Sequence, residues 1–128
     1  MVELTAGVNW LAVIIGFVLA FALGWLWYSP RLFGRKWAEG VGLDPSGPET
    51  MPVAAMAFQA AGTFLLAWLV GITATHEALF TIILIALTIM MLLAAGGFFT
   101  KKSGYAIATE AGFVAAMVVV MIAVQAAL

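Results

Sequence analysis

One carboxylate, Glu110, stands inside a long apolar run, six residues beyond Gly104. At 1.5 Å per helical residue that is about 9 Å from the start of the run. A charge at mid-membrane costs on the order of 3 kcal/mol on insertion scales, so Glu110 must be protonated, paired or wetted by a cavity. Gln59 stands at a similar depth in another run, with Thr63 one turn later on the same face. An amide-to-carboxyl hydrogen bond between helices is worth about 0.6–2 kcal/mol, and a Glu110 to Gln59 contact is the expectation. Glu110, Gln59 and Thr63 therefore form the candidate polar site, whose chemistry would be either structural or the carriage of a proton or cation.

The other reactive side chains are few. His76, the only histidine, sits beside Glu77 in a short break. Thr75 is expected to cap the helix that follows, with Glu77 complementing its N-terminus and His76 facing solvent. Met56, Met90, Met91, Met117 and Met121 suit irregular packing. There is no cysteine, hence no disulfide, thiolate or soft-metal chemistry. No phosphate loop, nucleophilic triad or metal-ligating spacing occurs. Catalytic, cofactor-binding and metal residues are accordingly none, and the expectation is that the protein is not an enzyme.

The elements that must hold this site follow from composition. Of 128 residues 66% are apolar, about 84 residues, enough for four membrane helices of roughly 20 residues each. Charged residues are 9% against roughly 25% in globular proteins, and mean hydropathy is +1.18. Too little polar surface remains to wet a soluble globule. Five Lys and Arg against six Asp and Glu leave no basic excess for nucleic acid. The prediction is an all-α integral membrane protein: one domain over residues 1–128, a four-helix transmembrane bundle with a short interfacial helix after the first span.

The spans are predicted at about 8–28, 51–72, 78–100 and 104–127, with the interfacial segment at about 31–39. The first is too long, and its leader Met1-Val2-Glu3 too poor in cations, for a cleaved signal. All five cations fall in the first and third connections. Since cytoplasmic loops retain Lys and Arg, loops 29–50 and 101–103 are expected on the cytoplasmic side of the inner membrane, with both termini outside. Trp10 and Trp27 are 17 residues apart, about 26 Å of helix, which suits rings at two interfaces. Trp68 would mark the outer end of the second span, and Phe98, Phe99 and Tyr105 the inner level.

After Trp27 and Tyr28, Pro30 disfavours helix at Ser29 and ends the first span. Phe33 and Trp37 then share one side of a short helix, and Arg31 and Arg35 another, with Lys36 between. That pattern predicts an anchor lying in the interface, rings towards lipid and cations among anionic headgroups. The stretch Asn9-Trp10-Leu11-Ala12, followed by Gly24-Trp25-Leu26-Trp27-Tyr28-Ser29-Pro30-Arg31-Leu32-Phe33-Gly34-Arg35-Lys36-Trp37, resembles the family of small membrane proteins known as domain of unknown function 1761. The resemblance covers residues 9–37 and implies membrane location without an established activity. No catalytic residue is carried over by it.

Helices in lipid associate through close packing of small residues. The first span offers Ala12, Gly16, Ala20 and Gly24, and the fourth Gly104, Ala108, Gly112 and Ala116. Both rows are expected to face protein. Glu110, two residues from Ala108 and from Gly112, lies about 160° around the helix from the second row, so the fourth helix must be enclosed on two sides or meet another chain. The resulting functional expectation is an interaction or accessory subunit, partnered by the bilayer and by its own copies or other membrane subunits, with no cofactor and with bound lipid or pigment left open. The alternative is a small proton- or cation-coupled transporter or channel lined by Gln59, Glu110, Gly96 and Gly97.

Overall fold

A computed structural model describes residues 2–42 and 53–128. Every element in it is a helix: α1 (Val2–Thr5), α2 (Trp10–Trp27), α3 (Gly34–Gly40), α4 (Val53–Thr75), α5 (Leu79–Phe99) and α6 (Gly104–Ala127). The helices α2, α4, α5 and α6 are each long and apolar enough to cross a membrane. The chain is thus a multi-pass helical membrane protein. The single turn α1 has no counterpart in the hydropathy pattern. The predicted start of the second span, Met51 and Pro52, lies outside the described residues.

Local chemistry sets the helix ends. Asn9 Oδ1 accepts the Ala12 N–H at 3.1 Å, capping α2. Its other end closes where Tyr28 N–H reaches the Gly24 carbonyl. Pro30 follows in a turn in which Leu32 N–H and Gly34 N–H both donate to the Ser29 carbonyl, at 3.0 and 2.9 Å. Gly34 has to be glycine there, because a Cβ would run into the Tyr28 carbonyl. Ser103 Oγ accepts the Ala106 N–H at 3.0 Å and starts α6.

The connection between α4 and α5 departs from expectation. Helix α4 continues to Thr75, whose hydroxyl donates back to the Ile72 carbonyl at 2.7 Å. Thr75 therefore ends one helix and does not cap the next. Ala78 precedes α5 without a side-chain bond. Glu77 occupies the left-handed region at φ 52°, and the N–H groups of His76, Glu77 and Ala78 donate to the Thr73 and Ala74 carbonyls. Backbone closure of the last α4 turn takes the place of the predicted cap.

Helix α6 packs against α2, α3, α4 and α5, whereas α2 and α5 lie on opposite sides of the α4 and α6 pair. The core is built from Val13, Ala20, Leu66, Val70, Ile82, Ala86, Phe113, Met117 and Met121. Only Ile82, Ala86 and Gly97 are buried on α5; Phe80, Leu84, Met91 and Leu92 point outward, as side chains facing hydrocarbon do. Ala12, Gly16 and Ala20 are buried, with the Met121 Cα 3.6 Å from where a Gly16 Cβ would stand and Phe113 Cζ 3.1 Å from the same position on Gly24.

The α6 row divides. Gly112 lies under Trp27 Cζ2, at 3.4 Å from a Cβ position, but Gly104 has nothing within 4 Å and Ala108 is exposed. The expectation that this row meets protein along its length therefore fails within this chain at its first two members. At the end of the bundle nearest the N-terminus, Trp68 Nε1 donates to the Leu4 carbonyl at 2.7 Å, and its ring lies 5.5 Å from Trp10.

Candidate functional site

Glu110 is held from two directions. Lys102 Nζ lies 3.0 Å from Oε1 and 2.9 Å from Oε2. Trp37 Nε1 donates to Oε2 at 2.9 Å. The carboxylate thus accepts three bonds, two from a cation, and charge-assisted bonds are the stronger kind. Lys102 retains 30% side-chain exposure and Glu110 15%. The pair sits at the margin of the bundle, with both groups part-exposed.

This corrects the expected Glu110 to Gln59 contact. The Gln59 amide donates to Thr63 Oγ1 at 3.1 Å, and that hydroxyl donates to the Gln59 carbonyl at 2.6 Å. Both bonds stay within one helix turn of α4. Gln59 is exposed and Thr63 buried, so the proposed polar site separates into a self-contained α4 pair and a Glu110 cluster. The physical reason is reach. Lys102 precedes α6, and its four-carbon stem runs back along the helix to a carboxylate about two turns in, which an amide on another helix does not match in charge. Gly97, assigned to a possible path, is closed against Ile107, whose Cγ1 stands 2.5 Å from a Cβ position, while Gly96 is open.

Aromatic residues build the rest of this end. Trp27 Nε1 donates to the Thr109 carbonyl at 2.9 Å, tying the end of α2 to α6. The Trp27 ring meets Phe33 at 4.8 Å, and Tyr28 meets Trp37 at 4.9 Å and Phe113 at 5.4 Å. The rings of Phe33 and Trp37 accordingly pack on protein, contrary to the predicted anchor with rings in lipid. What that segment exposes is Arg31, Leu32, Arg35, Lys36 and Glu39. Helix α3 begins at Gly34, so Arg31 belongs to the turn before it. Its far end is fastened where Ser103 N–H donates to the Gly40 carbonyl at 3.0 Å.

Sequence reasoning missed Lys102, Thr109, Ser103 and Gly40. The available signal was the lysine stem: Lys102 is the cation nearest in sequence to Glu110, and long amphipathic side chains extend along apolar surface. Among the described residues no group of three or more His, Cys, Asp or Glu could hold a metal.

Two depressions mark the surface. A groove of about 430 Å³ follows α4, walled by Gly62, Leu66, Trp68, Leu69 and Ile89. A slot of about 150 Å³ lies between Trp27, Phe33, Tyr105, Ala108 and Thr109.

With this geometry in hand the comparison with known proteins is direct, for residues 11–126 match the family described as Protein of unknown function (DUF1761). The chain belongs to that family. No curated protein and no solved structure matches it. The match takes in α3, α4 and α5 and all but one residue each of α2 and α6, so in this DUF1761 protein the Glu110 cluster lies within the matched region.

Proposed function

We propose that this chain is a non-catalytic subunit of the inner membrane that acts by association, with its own copies or with other membrane proteins. The supporting observation is the state of Glu110. The one carboxylate inside a span is occupied by Lys102 and Trp37, which is the arrangement of a joint between α3, α6 and the loop before α6. A carrier needs its carboxylate released in one state and engaged in another. In this reading the cationic loops are cytoplasmic and both ends of the chain lie outside, in keeping with the retention of Lys and Arg on that side.

The exposure left on Lys102 and Glu110 favours the second reading, a proton- or cation-coupled carrier entered from the cationic end. Flux in liposomes separates the two. Native protein and Glu110→Gln should both be silent to proton and cation gradients, while native mass spectrometry of the gently extracted protein should find it with further chains. Flux abolished by Glu110→Gln would replace the subunit reading with the carrier.

A further inference from the structure

The slot between α2, α3 and α6 combines features that the association reading does not use. Its walls are the rings of Trp27, Phe33 and Tyr105, and its floor is Ala108 and Thr109. The polar atoms nearby are already satisfied. The Thr109 carbonyl accepts from Trp27 Nε1, and the Thr109 hydroxyl donates to the Tyr105 carbonyl at 2.8 Å. What faces the space is therefore apolar. Its volume of about 150 Å³ is comparable to an apolar cavity that admits benzene, and it is open on one side. Trp27 and Tyr105 among its walls are of the kind that gathers at the level of the headgroup region.

Its Tyr105 wall carries a cation. Lys36 Nζ stands over the Tyr105 ring, 5.4 Å from the centroid. Among the described residues the only ion pair is Lys102 with Glu110, so within them Arg31, Arg35, Lys36 and Lys101 have no carboxylate within ion-pair distance. Glu39 is the one other described acid on these elements. An apolar slot with the Lys36 ammonium at its Tyr105 wall has a complementary occupant in the bilayer itself.

The geometry points to a binding site for one anionic phospholipid, with the upper part of an acyl chain between Trp27, Phe33 and Ala108 and the phosphate beside Lys36. A free phosphate would satisfy Lys36 and leave the slot empty; a zwitterionic lipid would fill the slot and gain little from Lys36. An anionic phospholipid satisfies both. A cation near anionic headgroups contributes about 1 kcal/mol, equivalent to about fivefold in affinity.

The test uses the full chain in phosphatidylcholine nanodiscs containing a minor share of phosphatidylglycerol, with retained lipid read by native mass spectrometry after transfer to mild detergent. The native chain should retain one phosphatidylglycerol in preference to phosphatidylcholine, and added inorganic phosphate should not displace it. Ala108→Phe, which fills the slot from an exposed position, should abolish retention. Lys36→Gln should lower the preference for phosphatidylglycerol about fivefold while leaving retention of phosphatidylcholine unchanged. Equal retention of the two lipids, displacement by phosphate, or full retention by Ala108→Phe would overturn the site. Should Ala108→Phe fail to fold, Lys36→Gln decides alone, and an unchanged preference would sink the proposal.

Discussion

Lys102 Nζ contacts both carboxylate oxygens of Glu110, at 3.0 and 2.9 Å, across eight residues of the same chain. This is a clamp over the first two turns of α6. Trp37, 73 residues from Glu110 in the chain, completes it by donating to the same carboxylate. The short helix α3 is thus docked on α6 through the one acid that the apolar run contains.

Removing the cation should cost more than neutralising the pair. Lys102→Met leaves a part-buried carboxylate with Trp37 alone, and a loss of about 1–3 kcal/mol is expected, less than for a fully buried pair because both groups are part-exposed. The double variant Lys102→Met with Glu110→Gln should recover part of it, since no unpaired charge remains. Unfolding in mixed micelles for the four members of the cycle measures the coupling, and additive losses would show that the clamp contributes nothing.

The glycines should separate by their surroundings. Gly16→Leu presses on the Met121 backbone, and Gly112→Leu on Trp27, so each should lower stability by about 1–3 kcal/mol. Gly104→Leu, with open space around it, should fall well short of that. Thermal midpoints of the three variants in one detergent check the order.

Gly62 also has no neighbour within 4 Å and sits inside α4. Gly62→Ala should therefore stabilise the protein by about 0.5–1 kcal/mol through helix propensity. A fall in the midpoint instead would mean that something packs closely there in the membrane.

Trp27→Phe keeps most of the ring contact with Phe33 but removes the donor to the Thr109 carbonyl. A loss of about 1 kcal/mol is expected for the bond, with some addition for the smaller ring. Trp37→Phe should similarly loosen α3, and limited proteolysis within residues 34–42 should quicken in that variant while α2 remains protected.

Orientation has a clean assay because the chain contains no cysteine. His76→Cys should react with an impermeant maleimide in intact cells. Arg35→Cys and Lys101→Cys should react only after the membrane is opened. The reverse pattern would place the cationic loops outside.

Several features were legible in the chain as written. Trp10 and Trp27 bound the observed α2, and Pro30 stands where the helix has ended. The long apolar runs became the four spanning helices because residues in hydrocarbon must satisfy their backbone groups internally, and a helix does so using only its own segment. The family, too, was readable from the stretch around Trp27 to Trp37, and the match proves to run much further, over residues 11–126.

Partner choice was not legible. Each span is apolar nearly all round, so no stripe announces which face meets which neighbour. Small residues marked a groove on α2 correctly for packing but could not show that the corresponding row on α6 would be half filled by Trp27 and then left open. Thr75 looked like a cap in sequence and instead bonds backward to Ile72, because closure of the α4 turn competes with the start of α5. The polar site depended on the same kind of decision. Local sequence specified that a carboxylate lies within reach of the membrane; the tertiary arrangement specified that Lys102 and Trp37 neutralise and hold it. Burial demands a partner for a charge, but only the crossing of helices determines which donor arrives.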